Sequence, residues 1–323
     1  MKIFITGVAG FIGSNLAKKL LSLGHEICGI DNMNYGFERN IEVLRANPKF
    51  QFIYGDIGNP MVIKDYKADI IVHLASQKIP RYSNALRVID ENYLMLKNVV
   101  NKCIIDRSKI VFASTSDVYG KNTNVPFSED SDLLLGPPQI KRWAYALSKI
   151  YGEQFIMANN DEYGLPFTIV RFFGSYGPNQ NLTWWGGPQS VFINQAFKKE
   201  PIEIHGDGKQ TRTFTYIDDT IEALAMCVLS EKANGEIFNI ATNPDEEIAI
   251  VDLAKIIWQL INGEKDIPKL NFIPYSTFGR YEDVPRRVPN IDKIKNILHF
   301  EPKIKLKEGL LKTIEWQKKI MKV

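Results

Sequence analysis

A glycine-rich stretch near the start of the chain, ITGVAGFIGSNLAKKL, constrains the fold more than any other segment. It follows the apolar run KIFIT and leads into an amphipathic stretch, so Gly7, Gly10 and Gly13 lie between a predicted strand and a predicted helix. The GxxGxxG spacing allows a tight turn, a close approach of the backbone to a pyrophosphate, and close packing of the helix on the sheet. The helix N-terminus then faces the phosphates. This context predicts a dinucleotide site, which includes Phe11 and Ile12 of the same turn.

Short apolar runs alternate with amphipathic stretches through the first third of the chain. The runs KIFITG, EICGID, QFIYGD, DIIVHLAS and KIVFAST have strand length, whereas SNLAKKLLSLG and LMLKNVVNKCII have helical periodicity. Strands that alternate with helices over short connections predict an α/β fold with a doubly wound parallel sheet of the Rossmann type. We expect this domain over residues 1–170, with some later segments returning to it.

After about residue 170 the sequence contains more Pro and Gly, and its periodicity is less regular. Helices are predicted at SVFINQAFKKE, TIEALAMCVLSEK, VDLAKIIWQLING and LKEGLLKTIEWQKKIM. We expect residues 171–323 to form mainly a smaller mixed α/β domain that closes over a ligand. No linker separates the two halves, so they are expected to share a cleft.

Charge and composition exclude several classes of function. The chain has 40 Lys and Arg against 37 Asp and Glu without a run of like charge, so no binding of nucleic acid is expected. Three widely spaced cysteines and four histidines without an HxH or HxxxH pair predict no metal site. The sequence enters a strand at once and has no apolar run of about 18 residues, so we expect a cytoplasmic protein without membrane association.

A carboxylate follows the second predicted strand, EICGID. Asp31 lies about 20 residues beyond the glycines, where an acidic side chain accepts hydrogen bonds from the adenosine ribose. A carboxylate there repels a 2′-phosphate, and the first arginine after it is Arg39, so the predicted cofactor is NAD rather than NADP. The alternative is a solvated aspartate at a strand end.

The segment WAYALSKIYGEQF predicts a helix that carries Tyr145 and Lys149 on one face. A phenol with a pKa of about 10 is a poor base at neutral pH, but a nearby ammonium group and an oxidised nicotinamide favour the phenolate. Tyr145 is therefore a candidate base for a substrate alcohol. On its own the YxxxK spacing is also common on ordinary amphipathic helices.

Three hydroxyls and a carboxylate follow the apolar run KIVF, in the stretch ASTSDVYG. Thr115, Ser116 and Asp117 are thus expected at the carboxyl edge of the sheet, where parallel sheets place their ligands. We predict all three as catalytic residues, together with Tyr145 and Lys149.

Taken together, these motifs resemble the extended short-chain dehydrogenase/reductase family of nucleotide-sugar epimerases, dehydratases and decarboxylases. The resemblance runs from ITGVAGFIG through GDI, HLAS, ASTSDVYG, YALSK, RFFGSYGP and GDGKQTRTFTYIDD to RRVPN. It implies an NAD-dependent enzyme that acts on a nucleoside diphosphate sugar. Its first step would be oxidation of the sugar C4 hydroxyl to a ketone, with Tyr145 as base.

The resemblance also implies roles for individual residues. Lys149 would hold the nicotinamide ribose, and Thr115 would bind the reacting oxygen of the sugar. The cofactor site would further include Asn32, Asp56, Ile57, Leu74, Ala75, Lys78 and Asn92. The substrate site would include Arg142, Gly174, Arg212 and Arg287, where the last two would clamp the diphosphate and Gly174 replaces the usual asparagine.

The reaction after C4 oxidation depends on the residues that follow Thr115. STSD resembles the Thr-Ser-Glu pattern of GDP-mannose 4,6-dehydratases and of UDP-glucuronate decarboxylases, with the shorter Asp117 in place of Glu. We favour a dehydratase acting on a UDP-sugar, in which Asp117 is an acid or base near C5; alternatively, Asp117 caps the following turn. The segment HLASQKIPR, which resembles a UDP-N-acetylglucosamine 5,6-dehydratase, agrees with elimination.

Three alternatives remain. They are a UDP-hexose 4-epimerase, then a UDP-glucuronate decarboxylase, and last a non-enzymatic NAD-binding module. Arg142, just before the catalytic helix, resembles a feature of the bacterial UDP-glucuronate decarboxylase of lipid A modification. The intact Thr115, Tyr145 and Lys149 argue against a module that only binds NAD.

Two further features concern the substrate and the assembly. The loop NQNLTWWGGPQSVFI contains Trp184 and Trp185 and is predicted to shape the substrate pocket, or to pack the smaller domain. The apolar content of the two long helices around ALRVIDENYLMLKNVVNKCII and YALSKIYGEQFIMANN predicts a homodimer, as the resemblance also implies.

Overall fold

The computed structural model describes residues 1–78 and 84–322 of the chain. Its strands are β1 (Lys2–Thr6), β2 (Glu26–Asp31), β3 (Phe50–Tyr54), β4 (Ile70–His73), β5 (Lys109–Thr115), β6 (Phe167–Phe172), β7 (Ser175–Tyr176), β8 (Ile202–His205), β9 (Thr211–Arg212), β10 (Thr215–Tyr216), β11 (Glu236–Ile240), β12 (Ile248–Ala249), β13 (Leu270–Ile273) and β14 (Arg286–Arg287). Its helices are α1 (Phe11–Ser22), α2 (Glu38–Arg45), α3 (Ala85–Asp106), α4 (Trp143–Tyr163), α5 (Pro188–Phe197), α6 (Ile217–Leu229), α7 (Ile250–Asn262), α8 (Asp292–Leu298) and α9 (Leu306–Met321). The HLASQKIPR segment continues into residues 79–81, which lie outside the described residues.

Seven strands form one parallel sheet in the order β3-β2-β1-β4-β5-β6-β11. β1 pairs with β2 on one side and with β4 on the other, so the direction of winding reverses at β1. In such sheets ligands bind beyond the carboxyl ends of the strands at the point of reversal. The predicted α/β fold with a doubly wound parallel sheet is confirmed.

Both faces of the sheet are covered by helices, which explains why its strands are so apolar. Successive side chains of β1 point to opposite faces: Ile3 and Ile5 join one hydrophobic cluster, and Phe4 joins another. On the first face they meet Leu16, Ala17 and Leu20 of α1, and on the second face Leu96, Val99 and Val100 of α3 belong to the same cluster as Phe4. β5 is buried along its whole length, including its last residue, Thr115.

The sheet includes residues beyond 170. β6 spans this position, and β11, which comes much later in the chain, pairs with β6. Beyond β6, short strands form three small sheets, with β12-β9-β14, β13-β8 and β10-β7 as neighbours. These strands and α5, α7 and α9 form the smaller part of the molecule. The boundary between residues 1–170 and 171–323 stays a prediction.

Within the described ranges, none of the helices is both long enough and apolar enough to cross a membrane.

Candidate active site

A cavity of about 430 Å³ opens at the carboxyl ends of β1, β2 and β4. Its wall includes most of the residues predicted for the dinucleotide, namely Gly7, Gly10, Asp31, Asn32, Asp56, Ile57, Leu74 and Ala75. Gly7 has a φ angle of +73°, and a Cβ atom there would lie 3.0 Å from the Ala75 nitrogen. A Cβ atom on Gly13 would lie 2.2 Å from the Gly7 oxygen, so the glycines permit the close helix packing that the motif predicts. Phe11 and Ile12 form the first turn of α1 beside them.

Two carboxylates of this cavity, Asp31 and Asp56, are held by amide groups. Asp31 accepts hydrogen bonds from the nitrogens of Ala9 at 3.0 Å and Met33 at 2.8 Å. Burial raises the pKa of Asp31, and the two amides partly offset this effect. Asp56 accepts from the Gly58 nitrogen at 2.7 Å and from the Asn32 amide at 3.1 Å. A glycine turn at a helix start with acceptors for ribose hydroxyls at the next strand fits an adenine dinucleotide.

Two residues predicted for the cofactor lie elsewhere in the structure. Asn92 is buried behind the cavity, where its amide binds both backbone groups of Gln77 (2.7 and 2.9 Å) and the Ser148 hydroxyl (3.0 Å). It thereby ties the segment after β4 to α3 and α4. Lys78 lines a second cavity instead, next to Tyr145 and Trp185. Its Nζ atom donates a hydrogen bond to the Trp185 carbonyl at 2.7 Å.

The second cavity has a volume of about 400 Å³ and contains the predicted catalytic tyrosine. Tyr145 and Lys149 extend from the same side of α4, and the Lys149 Nζ atom lies 5.8 Å from the centre of the Tyr145 ring. Lys149 donates to the Ala113 carbonyl at 2.8 Å. Burial lowers the pKa of Lys149 to about 7, against the opposing effect of Glu153.

The phenol of Tyr145 is protonated in this environment. Burial and the negative charge of Asp117 raise its pKa, while hydrogen bonds with Thr115 and Ser76 and the charge of Arg287 lower it. An additional cation beside the phenol would favour the phenolate. The oxidised nicotinamide of NAD carries such a charge.

Three arginines and two aspartates form a connected group on the wall of the second cavity. We call it the arginine–aspartate cluster, and it consists of Arg142, Arg212, Arg287, Asp117 and Asp283. Asp117 Oδ1 accepts from Arg287 Nη2 at 2.6 Å and from Arg142 Nη2 at 3.0 Å. Asp283 Oδ1 accepts from Arg212 Nη2 at 3.0 Å and from Arg142 Nη1 at 3.2 Å. Arg142 therefore bridges the two aspartates.

The cluster carries one net positive charge. Burial would raise the pKa of Asp117, but Arg287, Arg142 and Arg212 together lower it below its ordinary value. Burial also raises the pKa of Asp283, but Arg212 and Arg142 lower it more, so the net change is a decrease. Both carboxylates are therefore ionised. The Nε atoms of Arg142 and Arg287 are buried without a hydrogen-bond partner among the described residues. The partly exposed guanidinium groups of these two arginines can instead attract an anionic ligand through their charge.

Local structure explains how such distant residues meet. Arg212 in β9 and Arg287 in β14 are paired directly across two parallel strands. Thr115, not Asp117, caps the turn after β5, because its hydroxyl accepts from the Asp117 nitrogen at 3.2 Å. The side chain of Asp117 is thereby directed to the arginines, so the alternative that Asp117 caps this turn is wrong. Ser116 accepts a hydrogen bond from Arg287 Nη1 at 3.3 Å.

Gly174 also lines the second cavity, in place of the asparagine usual in the resembled family. Its φ angle is +42°, and a Cβ atom there would lie 2.5 Å from the Thr213 oxygen. The backbone around Gly174 therefore leaves no room for a side chain.

Several residues of the site are missed by the sequence patterns. Asp283 and Tyr281 lie in the segment YEDVPRR. The only indication of a binding role in this segment is an acidic residue shortly before two arginines. Trp184 stacks on His205 with 4.0 Å between ring centres, and Trp185 packs on Tyr35 in a tilted arrangement with 4.4 Å between ring centres. The predicted loop with two tryptophans thus borders the second cavity. Among residues 1–78 and 84–322, no group of three or more His, Cys, Asp or Glu side chains could hold a metal ion.

Comparisons with known proteins agree with this geometry. The sequence model of the NAD dependent epimerase/dehydratase family matches residues 3–241. A UDP-N-acetyl-alpha-D-glucosaminuronate decarboxylase from Bacillus cytotoxicus is 36% identical over 318 residues, which cover 98% of this chain and 97% of the relative.

Two solved structures are similar over nearly their whole length. The X-ray structure of Pal from Bacillus thuringiensis has a TM-score of 0.89 and 32% identity, covering 99% of this chain and 100% of that one. The UDP-glucuronic acid 4-epimerase from Bacillus cereus, in complex with UDP-glucuronic acid and NAD, has a TM-score of 0.87 and 28% identity with the same coverage. The predicted cofactor, NAD, and the predicted resemblance are confirmed. The chain belongs to the NAD-dependent epimerase/dehydratase family of nucleotide-sugar enzymes.

Proposed function

We propose that this enzyme oxidises C4 of a UDP-hexuronate and then releases the C6 carboxylate as carbon dioxide. The arginine–aspartate cluster is the observation that carries this proposal. Thr115 and Asp117 belong to one turn, so the guanidinium groups on Asp117 lie next to the residue proposed to bind the C4 oxygen. A cationic group at this position suits a sugar that carries a carboxylate at C6, so we assign Arg287 to this carboxylate rather than to the diphosphate that the resemblance implies for it. Two of the similar proteins are named for uronate substrates.

The state of Asp117 supports decarboxylation over the dehydration that the sequence favoured. A dehydratase needs a group near C5 and C6 that takes the C5 proton and supplies a proton to the leaving hydroxyl. Asp117 is ionised because the effect of three arginines on its pKa exceeds that of its burial. Its Oδ1 atom is also occupied by two guanidinium groups. It is therefore a poor donor and a weak base.

The proposed chemistry needs few groups. Tyr145 takes the proton of the C4 hydroxyl, assisted by the charge of Lys149 and by a hydrogen bond from Thr115. NAD held by the glycine turn and Asp31 of the dinucleotide cavity would supply the acceptor for the C4 hydride. The resulting ketone is β to the C6 carboxylate, so the electrons of the C5–C6 bond can move onto the ketone oxygen as carbon dioxide leaves. Tyr145 and Thr115 stabilise the negative charge on that oxygen, and C5 then takes up a proton from solvent. Return of the hydride to C4 and of the proton from Tyr145 to its oxygen would give a UDP-pentose and restore the oxidised cofactor.

Asp117 also bears on the choice between decarboxylation and C4 epimerisation. Epimerisation of a uronate, the second candidate, is supported by the same cationic wall and by the similar 4-epimerase structure. An aspartate that shares Arg142 and Arg287 reduces the stabilisation that these arginines give to a sugar carboxylate. The free energy needed to lose the carboxylate charge, as neutral carbon dioxide, is then smaller.

The test is mass spectrometry of UDP-sugars after incubation with the purified enzyme and NAD. The panel comprises UDP-glucuronate, UDP-N-acetylglucosaminuronate, UDP-glucose and UDP-N-acetylglucosamine, with the Tyr145→Phe variant as the inactive control. Loss of carbon dioxide from a uronate supports the proposal. A uronate product of unchanged mass and altered retention would identify the epimerase, and loss of water from a neutral sugar would identify a dehydratase.

We further propose that the enzyme is a homodimer that associates through α3 and α4. Leu86, Ile89 and Tyr93 of α3 and Leu147 and Tyr151 of α4 are exposed, and the two tyrosine rings lie 5.5 Å apart. The apolar residues form a surface across two adjacent helices, which is typical of a subunit interface. Light scattering coupled to size-exclusion chromatography gives the mass directly. A monomer at micromolar concentration would contradict this proposal.

A further inference from the structure

We propose that Trp185 and Tyr35 form a clasp that slows the release of NAD and NADH. Their rings pack against each other in a tilted arrangement, with 4.4 Å between centres and 30° between planes. Tyr35 lines the dinucleotide cavity, whereas Trp185 lines the second cavity. The pair of rings therefore joins the rims of the two cavities. This inference does not depend on which reaction follows C4 oxidation.

The turn that carries Trp185 is tightly built. The Asn181 side chain accepts hydrogen bonds from the nitrogen and the hydroxyl of Thr183, at 2.9 and 2.7 Å. A Cβ atom on Gly186 would lie 1.8 Å from the Asn181 oxygen, and Gly187 has a φ angle of +98°. These positions require glycine, and the turn they allow sends the two tryptophans to different partners.

The two tryptophans have different roles in this turn. Trp184 packs toward the smaller part of the molecule, where it contacts His205 and the Phe192 ring, whose centre is 6.1 Å away. Trp185 contacts the sheet side instead. An ordinary packing role explains Trp184, but it does not explain a half-buried tryptophan whose ring partner lies on the opposite rim of the cleft.

A second contact ties the same residue to the sheet side. The Trp185 carbonyl accepts a hydrogen bond from Lys78 Nζ at 2.7 Å. Tyr35 follows β2, and Lys78 follows β4, so Trp185 contacts segments that follow two strands bordering the dinucleotide cavity. A dinucleotide that leaves this cavity toward the cleft would have to separate these contacts.

The clasp predicts faster cofactor release when either ring is removed. A contact between two aromatic rings is worth enough to change a dissociation rate roughly 3- to 10-fold. We would measure NADH dissociation from the purified enzyme by stopped-flow displacement with excess NAD, following the NADH emission. Trp185→Ala and Tyr35→Ala should both accelerate release. Trp185→Phe, which keeps a ring, should retain slow release.

The double variant separates a clasp from two independent effects. If the rings act on each other, Trp185→Ala with Tyr35→Ala should release NADH no faster than the faster single variant. Tyr163→Ala, which removes an exposed tyrosine at the end of α4, is the control for loss of an aromatic side chain. Wild-type release rates in both single variants, or effects that multiply in the double variant, would overturn the proposal.

Discussion

Two arginine–carboxylate networks contact the turn that follows β5, and they differ in how completely the guanidinium donors are paired with protein oxygens. In the core network, Arg171 holds Glu153 through two bonds of 3.0 and 2.6 Å, and the two side chains are only 4% and 3% exposed. Arg171 also donates to the Tyr119 hydroxyl at 3.0 Å and to the Glu129 carbonyl at 2.8 Å. The arginine–aspartate cluster, in contrast, faces a cavity.

This difference separates a structural role from a binding role. All three nitrogens of Arg171 donate to protein oxygens, and the side chain is only 4% exposed, so a ligand cannot reach it. Arg142 and Arg287 are 13% and 15% exposed, and each keeps an unpaired Nε atom. A buried network with most donors paired fixes one arrangement of the core, whereas partly exposed guanidinium groups on a cavity wall suit an anion that arrives from solvent.

The largest expected effect tests the structural role of the core network. Arg171→Met leaves the Glu153 carboxylate buried without its cation, and we expect the free energy of unfolding to fall by about 3–5 kcal/mol. Urea unfolding of the purified variant measures this. The double variant Arg171→Met with Glu153→Leu removes both charges and should recover most of the loss. A decrease below about 1 kcal/mol in the single variant would contradict the comparison.

The next prediction tests the binding role of the cluster. Arg287→Gln should lower kcat/KM for a UDP-hexuronate by about 100-fold, because a charged contact to the substrate is lost. The free energy of unfolding should change by less than about 1 kcal/mol, because Asp117 keeps Arg142 as its partner. Steady-state kinetics and urea unfolding on the same preparation measure both. Large destabilisation with little kinetic change would assign Arg287 to structure instead.

Sequence motifs locate side chains whose positions depend on local spacing, but they do not give the contacts between distant elements. The GxxGxxG turn, Asp31 and the Tyr145–Lys149 pair depend on local spacing within one βα unit or one helix, and local spacing is visible in a sequence. Asn92 has the right residue type, but its buried amide is used by Gln77 and Ser148. That outcome depends on packing between elements rather than on spacing.

The arginine–aspartate cluster depends on long-range packing. Asp117 and Arg287 are 170 residues apart in the chain, and they meet because β14 pairs with β9 beside the turn after β5. The resemblance supplied the three arginines as separate substrate contacts. It did not predict that Asp117 binds two of them, and our proposal of decarboxylation in place of the predicted dehydration rests on this contact.

A smaller effect should appear in the pH dependence. After burial, the charge of Asp117 is the main factor that raises the pKa of Tyr145, so Asp117→Asn should lower that pKa. C4 oxidation requires the phenolate, and its rate rises as pH passes through this pKa. The rising limb of the profile should therefore move to lower pH, even if the plateau falls.

Single-turnover formation of NADH from a UDP-sugar, followed by absorbance across pH, measures the limb. Asp283→Asn removes a like charge from the same cluster but not the one beside the phenol, so it should move the limb less. A limb that stays in place, or moves to higher pH, in Asp117→Asn would show that this carboxylate does not act on Tyr145.

The smallest effect is expected at the neighbour of Arg287. Consecutive residues of a strand point to opposite faces, and Arg286 pairs with Glu247 at 2.8 and 2.7 Å on the exposed side of β14. Exposed ion pairs contribute little, so Arg286→Gln should leave kcat/KM and the urea midpoint within experimental error of wild type. The variant is measured in parallel with Arg287→Gln. A similar loss of activity in both would mean that the charge of β14 as a whole, rather than the contact of Arg287 with Asp117, supports catalysis.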